Sequence, residues 1–156
     1  MPDHTYRAQL QWTGSTGVGY RGYPRAHSAA APPAADFVEL SADPHFRGDA
    51  DLMNPEQLLV MAASSCQLLS FLAVAARAGV DVVGYEDEAT GVMPGDVSPQ
   101  RITRIELRPR ITVTGQAGVD PADVVARLAH QAHDECYIAN SLTTEVLVQP
   151  TVVVRD

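Results

Sequence analysis

A chain of 156 residues, 46% of them hydrophobic, is long enough to close a core and suits a single domain over 1–156. Its formal charge is −8, from 11 Lys/Arg and 19 acidic residues; the eleven are all arginines, scattered along the chain, which argues against nucleic acid and anionic membrane surfaces as natural partners. The opening MPDHTYRAQL has neither a basic n-region nor an apolar h-region, so nothing there directs export and the expected compartment is the cytoplasm.

Residues 5–12 (TYRAQLQW) alternate roughly and carry β-branched and aromatic side chains, which predicts a hairpin with residues 20–28 across a Gly/Thr/Ser turn at 13–19. That turn holds Gly14, Gly17 and Gly19, but GSTGVG lacks the GK[ST] ending of a phosphate cradle. Residues 29–35, with Pro32 and Pro33, read as a connector, and 36–41 (DFVELS) as a third short strand. The polar loop 43–53 contains His45, Arg47, Asp49 and Asp51; their spacing fits turn-forming aspartates and no calcium or zinc pattern.

The next segment, NPEQLLVMAASSCQLLSFLAVAARAG over 54–79, predicts a long helix. Asn54 is a good N-cap, Pro55 suits the first helical position, Glu56 and Gln57 put a carboxylate and an amide in the first turn, and Gly79 supplies the stop. Twenty residues without a charge, 57–76, could span a bilayer. The polar cluster Ser64, Ser65, Cys66 and Gln67 at mid-span, Gln57 and Ser70, and the lack of flanking basic blocks or an aromatic belt favour instead a helix buried on all faces in the core of a soluble protein, with no membrane.

Residues 80–93 predict a strand, 94–99 a turn, and 101–114 (RITRIELRPRITVT) a strand whose apolar residues alternate with arginines that cover an exposed face, with Pro109 at an edge or bulge. Asp120 and Pro121 repeat the cap-plus-proline start, and Val124, Val125, Leu128, Ala129 and Ala132 make a one-sided helix ending near Ala139. Residues 143–154 form the closing strand. The order β-β-β-α-β-β-α-β predicts an α+β fold, a mainly antiparallel sheet wrapped on a long central helix.

Two cysteines 70 positions apart form no CxxC and no zinc-ribbon spacing. Cys66, deep in an apolar helix, is by default an inert small hydrophobe; to react it needs a cation or donors that favour the thiolate, and an arginine would have to come from another segment. His130, His133 and Cys136 at i, i+3 and i+6 of a helix make three metal ligands without a fourth, and the alternatives are surface histidines beside an unrelated thiol, or a resolving thiol. Glu56 serves the helix macrodipole by default. It lies ten residues, about 15 Å of helical rise, before Cys66, so the two can share a site only if a second copy of the helix runs antiparallel across a twofold axis. An apolar helix of this kind also calls for such a partner, which predicts an obligate homodimer.

NPEQLL, a small-residue run and Cys66, together with HDECYIANS late in the chain, resemble the OsmC/Ohr family of thiol-dependent peroxidases, over nearly the whole chain. The resemblance implies an OsmC-like fold as an intertwined homodimer, no cofactor and no metal. It implies that Cys66 attacks an organic hydroperoxide, that Cys136 resolves the sulfenic acid as a disulfide which a dithiol reductant reopens, and that Glu56 and an arginine assist. YPRAH and HFRGD nominate Arg25 and Arg47 ahead of Arg21 and look like an OsmC-like subgroup; CYIAN departs from the family's CPYSN-like stretch but keeps Asn140 in register. A non-enzymatic thiol or small-molecule binding protein of the same fold is the alternative.

Overall fold

The computed structural model describes residues 1–115 and 120–155. These fall into two compact units, 1–58 and 59–156.

The first unit carries a three-stranded antiparallel sheet, β1 (Gln9–Gln11), β2 (His27–Ala30) and β3 (Phe37–Leu40), in the order β1-β2-β3. The predicted hairpin is present but shorter, and its return strand starts at His27 instead of residue 20. Residues 13–26 are held in a loop instead: Ser15 caps a short 3-10 turn by accepting from Gly17 N–H, and Trp12 Nε1 donates to the Pro24 carbonyl at 2.8 Å. Pairing puts Leu10, Ala29 and Val38 side by side on one face of the sheet. The 43–53 loop is built as its aspartates suggested: Asp43 accepts from the His45 amide and Asp49 from the Asp51 amide.

The central helix α1 spans Pro55–Arg77. Its start is a reciprocal capping box, in which Asn54 Oδ1 accepts from Gln57 N–H and Gln57 Oε1 from Asn54 N–H, both at 2.9 Å. Gly79 ends it at φ +71°, a left-handed conformation that favours glycine.

The second unit contains most of α1 and six strands: β4 (Val82–Asp87), β5 (Thr90–Val92), β6 (Arg104–Leu107), β7 (Pro109–Thr114), β8 (Glu145–Val148) and β9 (Thr151–Arg155). Each of the three strands expected after α1 is in fact two. They form two three-stranded sheets, β4-β7-β9 and β5-β6-β8, with β6 parallel to β8, β7 parallel to β9, and the other pairs antiparallel. The breaks lie side by side, after Asp87, at Arg108 and at 149–150, so one strip of three long strands is bent across its width. Asp87 holds the bend: its Oδ1 accepts from Arg108 N–H at 2.7 Å, and its Oδ2 from the Ser64 hydroxyl on α1 at 2.5 Å. Pro109, which cannot donate to a ladder, starts β7 at this corner.

One face of α1 (Ala63, Phe71, Val74, Ala75) packs with Ile105, Leu107, Ile111, Val113 and the apolar side of a second helix, α2 (Pro121–Asp134), to form the core. Gly91 lets β5 approach α1, since a Cβ there would stand 2.5 Å from Val60 Cγ2. As expected, Arg101, Arg104, Arg108 and Arg110 are exposed; Arg104 and Arg108 both pair with Glu106.

Two expectations are corrected. By length and composition α1 could cross a membrane, yet its buried stripe packs into a β-sheet core, as a core helix does. It is not, however, buried on all faces within the chain: Met61, Leu69 and Leu72 are 51%, 64% and 38% exposed, along a stripe opposite Ala63, Gln67, Phe71 and Val74. The second helix stops at Asp134, not near Ala139. Cys136 has extended backbone angles and is the N-cap of a separate four-residue turn of helix, α3 (Tyr137–Asn140). His130 and His133 therefore share no helical side with Cys136.

Candidate active site

The polar middle of α1 is used residue by residue. Ser64 reaches the Asp87 carboxylate, and Gln67, 1% exposed, donates from Nε2 to the Ala129 carbonyl of α2 at 2.9 Å. Between them Cys66 is half-buried and points towards the turn at Cys136, which is buried at 1% exposure. That turn is fastened by its own sequence. Cys136 N–H donates to the His133 carbonyl, Asn140 N–H to the Cys136 carbonyl, and Asn140 Nδ2 to the Asp134 carbonyl, one of those left over where α2 ends.

The structure thus brings together the two cysteines, both reduced. Burial acts to raise the Cys66 thiol. The Ile138 amide, the Cys136 thiol, the Tyr137 amide and the Ser70 hydroxyl outweigh it, so Cys66 lies below its ordinary value of 9.0. Cys136 goes the other way, to about 11, chiefly through burial and against the pull of the Ala139 amide, with the hydrogen bond to Cys66 and its charge adding to the rise. The surroundings favour the anion at Cys66 more than at Cys136.

The sequence did not point to the donors that do this. Ser70 could have been found, because it stands at i+4 from Cys66 on one helix. The amides of α3 could not, because their direction depends on the break in α2 at Glu135.

The remaining candidates lie in the first unit. Arg25 is half-buried; its guanidinium lies 3.7 Å from the centre of the Tyr23 ring and 4.9 Å from that of Tyr20, and donates to both of their carbonyls. Arg47 is exposed, in the left-handed region at φ +67°, the one non-glycine residue there among the described residues. Its neighbour Gly48 packs so closely on the Ala42 carbonyl that any Cβ would overlap it. Arg21 is exposed and Glu56 half-buried in the first turn of α1. Among the described residues no group of three or more His, Cys, Asp or Glu side chains is arranged to hold a metal.

A family model described as OsmC-like protein matches residues 48–151. Among solved structures, an OsmC-like protein of unknown function from Vibrio cholerae O1 biovar eltor str. N16961 is 28% identical, with 96% of this chain and 100% of that one covered and a TM-score of 0.85. An organic hydroperoxide resistance protein OsmC from Legionella pneumophila is 16% identical, with 99% and 100% covered and a TM-score of 0.65, a likeness of fold. The uncharacterized protein YmaD of Bacillus subtilis (strain 168) is 20% identical over 149 residues, which are 96% of this chain and 93% of that protein.

Proposed function

From the premise that this chain belongs to the OsmC-like protein family, we propose that it is a cysteine-based peroxidase that reduces organic hydroperoxides. The observation that carries the reading is the pairing of two free thiols, half-buried Cys66 on α1 and buried Cys136 at the turn before α3, with the α3 amides and Ser70 holding Cys66 below its ordinary value. A relative in fold is named an organic hydroperoxide resistance protein, which agrees with it.

In this reading the Cys66 thiolate attacks the terminal oxygen of the hydroperoxide; the O–O bond breaks, the hydroxyl passes to the sulfur to make a sulfenic acid, and the departing alkoxide takes a proton from solvent and leaves as the alcohol. Cys136 then attacks the Cys66 sulfur, water departs, and a disulfide remains for a dithiol reductant to reopen. In this reading Leu, Val, Met and Phe side chains of α1 wall the thiol, which would favour an alkyl peroxide over hydrogen peroxide. Arg25 or Arg47 supplies a cation that steadies the thiolate and the reacting oxygen, and Glu56 holds that guanidinium in a bidentate pair.

The reading includes a cytoplasmic homodimer with two sites. Glu56 cannot reach Cys66 along one helix, but Glu56 of a second subunit can if two α1 helices pack antiparallel through the exposed stripe Met61, Leu69 and Leu72. The strand-rich first unit, with Leu10, Tyr20 and Phe37 exposed, is the segment that would intertwine.

The test is peroxide consumption with tert-butyl hydroperoxide or hydrogen peroxide and a dithiol reductant. Turnover with the alkyl peroxide in excess, lost in Cys66→Ser, is expected. No turnover with either, while Cys66 stays reduced, would decide for a non-enzymatic binding protein.

A further inference from the structure

The loop between β1 and β2 directs aromatic rings and backbone carbonyls at one side chain. The Tyr20 and Tyr23 rings stand nearly perpendicular, at 76° with centroids 6.2 Å apart. The Arg25 guanidinium sits in the corner between them, 3.7 Å from the centre of the Tyr23 ring and 4.9 Å from that of Tyr20. Its Nη1 donates to the Tyr23 carbonyl and its Nη2 to the Tyr20 carbonyl. The corner is braced from both strands. Trp12, just after β1, meets the Tyr23 ring edge-on at 6.4 Å and donates to the Pro24 carbonyl, while His27 Nδ1, at the start of β2, bonds the Arg25 carbonyl at 2.8 Å. A guanidinium has five N–H donors, so with two given to carbonyls three remain for an outside acceptor. Arg21 and Arg47 differ: both are exposed, and among the described residues neither side chain has a hydrogen bond, ion pair or ring partner.

We propose that Tyr20 and Tyr23 are positioning residues that hold the Arg25 guanidinium ready, which makes Arg25, and not Arg47, the cation that steadies the Cys66 thiolate. This rests on the peroxidase reading, in which one of these two arginines has that task. The physical reason is pre-organisation. A solvated arginine gives up its rotamer freedom each time it serves a site, whereas one already fixed between two rings and two carbonyls has lost that freedom on folding. The rings fix the plane of the fork and the carbonyls its rotation within that plane, so the remaining N–H groups point in a set direction.

The reactivity of Cys66 reads the role. Alkylation of Cys66 by iodoacetamide at pH 7 should slow about three- to tenfold in Tyr23→Leu, the size expected for taking a ring from a cation. Tyr20→Leu removes the more distant ring and should act in the same direction but less; it keeps the test open should Tyr23→Leu fail to fold. Tyr23→Phe keeps the ring and should restore the wild-type rate. In an Arg25→Met background Tyr23→Leu should add nothing, because the ring acts through the guanidinium. Ring currents give a readout independent of the thiol: the Arg25 guanidinium protons should resonate upfield in the wild type and in Tyr23→Phe, and return towards the usual arginine position in Tyr23→Leu. Unchanged alkylation in both Leu variants, an equal loss with and without Arg25, or a wild-type rate in Arg25→Met overturns the proposal. Wild-type protein that consumes no peroxide refutes the peroxidase reading instead, and the alkylation rates still decide whether the rings hold the cation for Cys66.

Discussion

Attack on a peroxide requires the thiolate, so the pH dependence of Cys66 is the most direct readout of its surroundings. Because the donors around it lower its pKa, alkylation of Cys66 by iodoacetamide should rise with pH and level off at a midpoint below 9.0, while Cys136 titrates near about 11. Cys66→Ser removes both the hydrogen bond and the negative charge that hold Cys136 up, so the Cys136 midpoint should fall in that variant; a midpoint that stays put would mean the thiols are not coupled. Ser70→Ala removes one donor and should move the Cys66 midpoint up. The arginines can be told apart in the same assay. Of Arg25→Lys and Arg47→Lys, the one that raises the Cys66 midpoint and slows peroxide attack identifies the activating cation, since an ammonium cannot match the planar fork. If neither changes either quantity, the cation assignment is wrong.

At the scale of elements, α1 is positioned from its N-terminus and along its buried stripe. The capping box satisfies two backbone donors at once, and Asn54→Ala should cost about 1 kcal/mol, read as a lower urea midpoint with an unchanged slope. Gly91 is the second control, because β5 meets α1 with no room for a side chain. Gly91→Ala must push Val60 and its turn of helix aside, at roughly 1–3 kcal/mol. A variant as stable as the wild type would show that α1 and β5 can separate without loss. The bend in the sheet depends on Asp87, whose two oxygens join Arg108 on one strand to Ser64 on the helix that carries Cys66. One carboxylate thereby ties the helix that carries Cys66 to the bend of the sheet.

For the whole molecule the decisive feature is the apolar stripe that the chain leaves uncovered on α1. At about 25 cal/mol per Å² of apolar surface, three large side chains left in water represent several kcal/mol, a large part of a domain's net stability. The dimer proposed above covers that stripe. Light scattering at micromolar concentration should give the mass of two chains, and Leu69→Glu with Leu72→Glu should give one chain, with peroxidase activity lost although Cys66 itself is untouched. A wild-type mass of one chain with activity retained would sink the dimer.

Local chemistry decided what could be read from the sequence. A capping residue, a proline, an apolar run and a terminal glycine act within a few residues, which is why the limits of α1 and the strand character of 36–41 were legible, along with the family resemblance carried by the motifs around Cys66 and Cys136. The split of the strands was legible only in part: Pro109 marked an edge or bulge, but nothing at 88–89 breaks a strand by propensity, and the shared bend comes from three strands crossing one corner and from Asp87 beside Arg108. The break before Cys136 was hidden for a similar reason. His130, His133 and Cys136 keep helical spacing on paper, and only the packing of α2 and the reach of Asn140 to Asp134 turn the chain so that the amides of α3 meet the Cys66 sulfur. The identity of the two thiols was therefore local information, and the opposite direction of their shifts is a property of the tertiary structure, because apart from Ser70 it arises from burial and from donors on α3 that the sequence neighbours of Cys66 do not supply.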